Sequence, residues 1–255
     1  MESLWIETEN TLKVREELRK YDSRPLIVRD IKELKHHPKY SNLANYLGVN
    51  FPYQQDQIQI YVDREYAEAV IVHEILHSIL IYEGYPQVEI NITLFSQLPK
   101  PFQDITENIE RKFQDTIDHI EILRRMKEQY TIDIDRYFFK LYNIKYEKFQ
   151  RGKNERFRIC DGFIFREQEY ILEGIDYFNY IEPYKEKLFN TFNVIYPNAC
   201  ILCKNICDII SPTEFKTPKK MREVAIQIQQ HIIEYGENKY HNKIFNMVWK
   251  TLTIK

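Results

Sequence analysis

From Ala69 to Tyr82 the chain is apolar at nearly every position, and the interruptions that stand out are His73, Glu74 and His77. A run of about 14 residues is too short, and with these three too polar, to span a bilayer. It is long enough for a buried helix, because apolar residues fall on every side of it rather than along one stripe. Asp63 precedes it as an opening residue, and Gly84 followed by Pro86 supplies the stop chemistry. The predicted helix starts near Glu65 and runs to about Glu83. Two histidines and a glutamate inside such a helix are costly unless something compensates them.

Composition supports a helical chain. Only 6 of 255 residues are Gly, which suits long helices better than a turn-rich sandwich or barrel. With 44 % hydrophobic and 29 % charged residues, disordered and low-complexity classes are excluded. The 36 basic and 38 acidic side chains nearly cancel, so net charge gives no reason to expect nucleic acid as a partner. No basic region followed by an apolar run opens the sequence, so the expected setting is cytoplasmic, with no membrane association. Oligomeric state is not legible.

The alternation of Ile58, Ile60 and Val62 with Gln57, Gln59 and Tyr61 predicts a strand at 57–62. A long helix is expected from about Gln103 to Gln129. Further helices are expected near 134–149, 167–180, 183–194, 197–210, 218–235 and 239–252, with Gly236 as a C-terminal cap. The fold class is therefore mostly α with a small β-sheet (α+β). Two regions are expected, a metal-binding core over 1–148 and a helical C-terminal lobe over 149–255 packing on it, with 151–154 as linker. The amphipathic runs Val224, Ile228, Ile232, Tyr235 and Ile244, Val248, Leu252 supply the packing faces.

His73-Glu74-Ile75-Leu76-His77 has the spacing His-Glu-x-x-His. Residues four apart share one helix face, so both imidazoles can address one metal ion. Glu74 is held close by without being a ligand, where it can take a proton from a water that the metal activates. The segment resembles the zincin metallopeptidases, whose extended signature has uncharged residues between and just after the histidines, no proline, and an apolar residue two after the second histidine. Ile75, Leu76, Ser78 and Ile79 meet that pattern. The resemblance implies a zincin-like catalytic core, a Zn2+ cofactor, a protein or peptide substrate, and Glu74 as the catalytic base. It also implies that strand 57–62 is the edge strand lining the substrate cleft.

A catalytic zinc site takes three protein ligands and leaves one position open. The metzincin Gly and His, three and six residues past the second histidine, are Leu80 and Glu83 here, and Glu83 reads as a solvated or capping residue. The ligand is then sought on the next long helix, as in gluzincins. With Ile105 at zero and about 100° per residue, His119 falls near 320° and Asp115 near 280°, bordering the apolar face. Glu110 borders the other edge, while Glu107, Asp118 and Glu121 fall on the expected solvent side. His119 leads as third ligand. Asp115 is a carboxylate that could orient or replace it, and Glu110 gives the gluzincin pattern proper.

Cys200, Cys203 and Cys207 lie along one helix face with Phe192, Tyr196 and Ile210, and read as small buried hydrophobes rather than a second metal site. Cys160 has no paired spacing around it. His36, His37, His231 and His241 read as solvated. Tyr61, Tyr82 and Tyr85 are close enough in sequence to be considered as donors to a developing oxyanion. The leading expectation is a zinc-dependent peptidase. The competing one is a binding or regulatory protein on a zincin scaffold with structural or vestigial metal.

Overall fold

A computed structural model describes residues 6–38, 40, 48–51, 56–136, 171–175, 182–210, 217–240 and 243–255. These residues form a mostly helical chain with two small sheets. They divide into two compact units, one from 1–84 with 122–137 and the other from 85–121 with 138–255. The expected linker at 151–154, the 148/149 boundary, the helix at 134–149 beyond residue 136, and Cys160 and His241 lie outside the described residues.

The first unit is built on a three-stranded sheet of β1 (Leu26–Asp30), β2 (Gly48–Phe51) and β3 (Ile58–Val62). Its order is β1-β3-β2, with β1 parallel and β2 antiparallel to β3. The strand read from the alternation is therefore the central strand and not the edge. β2 holds the antiparallel edge, in a segment where the sequence predicts no strand. The face of β3 carrying Ile58, Ile60 and Val62 is fully buried and packs on helix α2 (Ala67–Tyr82).

Helix α1 (Glu9–Arg19) lies against α2 as well. It begins with a capping box in which Thr8 and Thr11 satisfy each other's backbone N–H groups, and it buries Val14 and Leu18 four residues apart. Thr8 Oγ1 (2.7 Å) and Asn10 Nδ2 (3.1 Å) both donate to Glu68, which fixes the start of α1 on the start of α2. With sheet and α1 both packed on it, α2 needs apolar residues all round, which is the pattern its sequence shows.

α2 is entered through a single 3-10 turn, Arg64–Tyr66, whose N-cap Asp63 accepts from the Glu65 N–H at 3.0 Å. It ends at Glu83, and Gly84 takes φ +78°, the left-handed conformation that a glycine adopts without strain.

The second unit pairs β4 (Val88–Ile90) antiparallel with β5 (Leu252–Ile254). Helix α3 (Ile92–Phe95) is a single turn, and α4 (Lys100–Glu128) follows it. The later helices are α5 (Glu182–Ile195), α6 (Pro197–Ile209), α7 (Pro218–Tyr240) and α8 (Lys243–Lys250). Two expectations need correction here. α7 runs through Gly236, which is buried inside the helix and does not cap it. Leu252 belongs to β5 and not to the last helix: Thr251 turns the chain, and Leu252 and Ile254 face inward as a strand. Fully buried Trp249 meets Phe113 edge-to-face with centroids 5.4 Å apart.

α4 is one continuous helix that contributes its residues up to Glu121 to the second unit and those from Ile122 to the first. It buries more than one face: of the residues expected on the solvent side, Glu107 is exposed, whereas two are not. Asp118 and Glu121 are buried; Asp118 accepts from Gln114 Nε2 at 2.8 Å and Glu121 from the Tyr85 hydroxyl at 3.3 Å.

Candidate metal centre

One turn of α2 separates His73 from His77, and their Nε2 atoms lie 3.2 Å apart with the rings at 71° to each other. His73 is only 5 % exposed, enclosed by the same packing that buries Val70, Ile71 and Leu76. His119 projects from α4, and a ring nitrogen of each of the three histidines lies within 4.8 Å of the other two. Glu110 and Asp115, the alternatives for a third ligand, do not join this group. Burial pushes the Glu110 carboxyl above its ordinary range, opposed by Arg111 and reinforced by Asp115 and Glu107.

The donor set can be tested against zinc. Nitrogens bound at about 2.0–2.1 Å and at the tetrahedral angle stand about 3.3–3.4 Å from each other. The observed 3.2 Å places the His73–His77 pair at that spacing, and the trio lies within the looser 4.8 Å. Neutral imidazoles suit zinc, and also copper, iron and nickel, so the set fits a transition metal without naming it alone.

Glu74 is 9 % exposed and lies beneath β2. A Cβ at Gly48 would stand 2.6 Å from Glu74 Oε1 and 2.3 Å from Val70 Cγ1, so only glycine leaves room for the carboxylate. Two residues on, Asn50 Nδ2 donates to the Glu74 carbonyl (2.7 Å) and to Ser78 Oγ (2.8 Å). Neither Gly48 nor Asn50 carries a signal in the sequence. Their role depends on the β2–β3 register, which pairs Gly48 with Val62 and Asn50 with Ile60 and so turns both toward α2.

Other candidates are placed elsewhere. Glu83 caps α2 and pairs with Arg125 rather than with solvent. The hydroxyls of Tyr61, Tyr82 and Tyr85 donate to Gln59, Asp22 and Glu121 respectively, so each is engaged by a protein acceptor. Cys200 and Cys203 are buried in the core, where burial pushes the Cys200 thiol up to about 12 and keeps it protonated. His231 is a half-buried helix residue 3.9 Å from Glu234, and His37 stacks on Tyr40. Among the described residues no helix is long and apolar enough to cross a membrane. Against this geometry, no family model, no curated protein and no solved structure matches the chain.

Proposed function

We propose that the chain is a zinc-dependent metallopeptidase in which His73, His77 and His119 hold Zn2+ and Glu74 is the general base. The observation that supports this reading is the convergence of three imidazoles from two helices, with Glu74 in the turn between the first two. Bound zinc would supply Lewis acidity to the attacking water and to the scissile carbonyl. Glu74 takes the proton of that water on its carboxylate and returns it to the leaving amine nitrogen as the C–N bond breaks. The substrate class is a protein or peptide, and the setting we assign is cytoplasmic.

A second reading is a binding or regulatory protein with structural zinc, and it is favoured by the burial of Glu74 and His73, since structural sites are closed and catalytic ones keep an open position. One experiment separates the two. Purified protein is expected to hold about one zinc per chain, and His73→Ala to lose it. Glu74→Gln is expected to keep the zinc and lose hydrolysis of an unfolded protein such as casein by about 10²–10⁴-fold. A zinc-loaded wild type without hydrolysis selects the structural reading. Hydrolysis undiminished in Glu74→Gln overturns the peptidase mechanism, and a chain that takes up no zinc overturns both.

A further inference from the structure

Resting on the peptidase reading for its catalytic consequence, we propose that Gly48 and Asn50 are positioning residues, through which edge strand β2 clamps the Glu74 turn of α2 and holds its carboxylate in one place. The two act on the same turn from the face of β2 that packs on α2. Gly48 provides the steric half: the volume a side chain would take at position 48 is occupied by Glu74 Oε1 and Val70 Cγ1, and Glu74 Cγ stands 3.0 Å from the same point. Asn50 provides the polar half. Its amide nitrogen spends both protons on α2, one on the Glu74 carbonyl and one on Ser78 Oγ. The acceptors settle which way the amide faces, because a carbonyl can only accept.

A residue present only for packing would not be built this way. Asn50 Oδ1 is buried and has no hydrogen-bond partner among the described residues, a cost that an apolar residue at position 50 would not carry. The amide is therefore explained by its donors. Both are spent on the turn that follows His73 and ends one residue past His77. The register makes the arrangement rigid, because Gly48 and Asn50 are each paired to buried residues of the central strand, Val62 and Ile60. β2 thus transmits the position of the sheet to Glu74. It touches neither His73 nor His77 through these bonds, so its effect falls on the proton acceptor and not on the donor set.

The test uses the full-length protein as purified, with Gly48→Ala, Asn50→Ala and the isosteric Asn50→Asp, which keeps the shape but lacks the donors. Gly48→Ala/Val70→Ala, with Val70→Ala as control, removes the Val70 contact and keeps the one with Glu74. This pair covers the case in which Gly48→Ala alone does not fold. Three readouts are taken: zinc per chain, carbodiimide labelling of the Glu74 carboxylate by mass spectrometry, and kcat and KM on casein. Zinc content is expected to match wild type in every folded variant. Labelling of Glu74 rises several-fold over wild type, and over Val70→Ala for the double variant, while kcat falls by about 10²-fold with KM unchanged.

Labelling and kcat at wild-type levels in the folded Gly48 and Asn50 variants overturn the clamp. Loss of zinc in step with loss of activity also overturns it, because the strand would then be supporting the ligands. If wild type shows no hydrolysis, the peptidase reading fails by itself, and the labelling still decides whether β2 holds Glu74.

Discussion

Asp22 follows α1 with its carboxylate gripped by Arg24, which reaches it through Nη2 at 2.6 Å, and by the Tyr82 hydroxyl at 2.5 Å. The Arg24 bonds, outweighing burial, hold the Asp22 carboxyl well below the usual carboxylate range. A carboxylate depressed by folding stabilises the native state fully above its unfolded value of about 3.9 and loses that stabilisation as pH falls further. Asp22→Asn is therefore expected to cost about 1–3 kcal/mol near neutral pH. The gap to wild type should narrow as pH falls below about 4. Urea midpoints of both proteins across that range check it, and a gap independent of pH refutes it. The same scale shows what single residues disclose. His73, Glu74 and His77 are legible because an i, i+4 spacing on a helix is a local property. His119 can be placed on the border of a helix face from the sequence, but its approach to the other two depends on how α4 lies, which no local pattern encodes. Angle alone puts Asp118 and Glu121 on the solvent side, yet they acquire partners in Gln114 and Tyr85 that only packing brings.

Among the elements, α2 was the most fully written in the sequence, since its entry, interior and exit each rest on neighbours in the chain. Asp63 caps the entry and Gly84 terminates it in the left-handed region. A Cβ at position 84 would meet nothing within 4 Å, so Gly84→Ala tests backbone strain free of steric clash. The expected cost is about 1–2 kcal/mol, read as a lower urea midpoint with unchanged zinc content. A neutral result would mean that the helix end re-forms without the left-handed residue. The strands were less legible for a physical reason. β2 has four residues, and its Gly and Asn favour turns over strands, so its pairing with β3 overrides local preference. β1 lies directly after Pro25 and is stabilised by a parallel partner some thirty residues on. Gly236 misleads in the opposite direction: a glycine after an amphipathic run reads as a cap, but here the helix pays its propensity cost of about 1 kcal/mol and continues.

Across the whole molecule, the segment that follows α2 finds its partners at the far end of the sequence. β4 pairs with β5, and Gln87 exchanges backbone hydrogen bonds with Lys255 at 3.1 and 2.9 Å. Gln229 Nε2 donates to the carbonyls of Trp249 and Leu252, both at 2.9 Å, and Arg222 reaches the carbonyl of Ile254, so α7 holds β5 in place. Phe113 of α4 packs on Trp249, and Lys112 pairs with Glu173 at 3.0 Å. Helical content and the amphipathic faces at Val224, Ile228, Ile232 and Val248 were legible from period alone, and all four are buried. Which faces meet was not, because long-range pairing leaves no periodic trace. This connectivity sets what truncation must do. A chain ending at Phe149 keeps residues 85–121 but loses β5, Trp249 and Glu173, leaving β4 with an open edge and Phe113 and Val88 without their cover. Each large apolar side chain returned to water costs about 1.5–3 kcal/mol, and an unpaired strand edge invites association. The truncated protein is therefore expected to be insoluble, or to lose any hydrolytic activity of the full chain, as measured by sedimentation and by the casein assay. If instead it stays soluble, unfolds cooperatively and keeps both zinc and activity, residues 149–255 form an independent module and the contacts of β4 and α4 with them are dispensable.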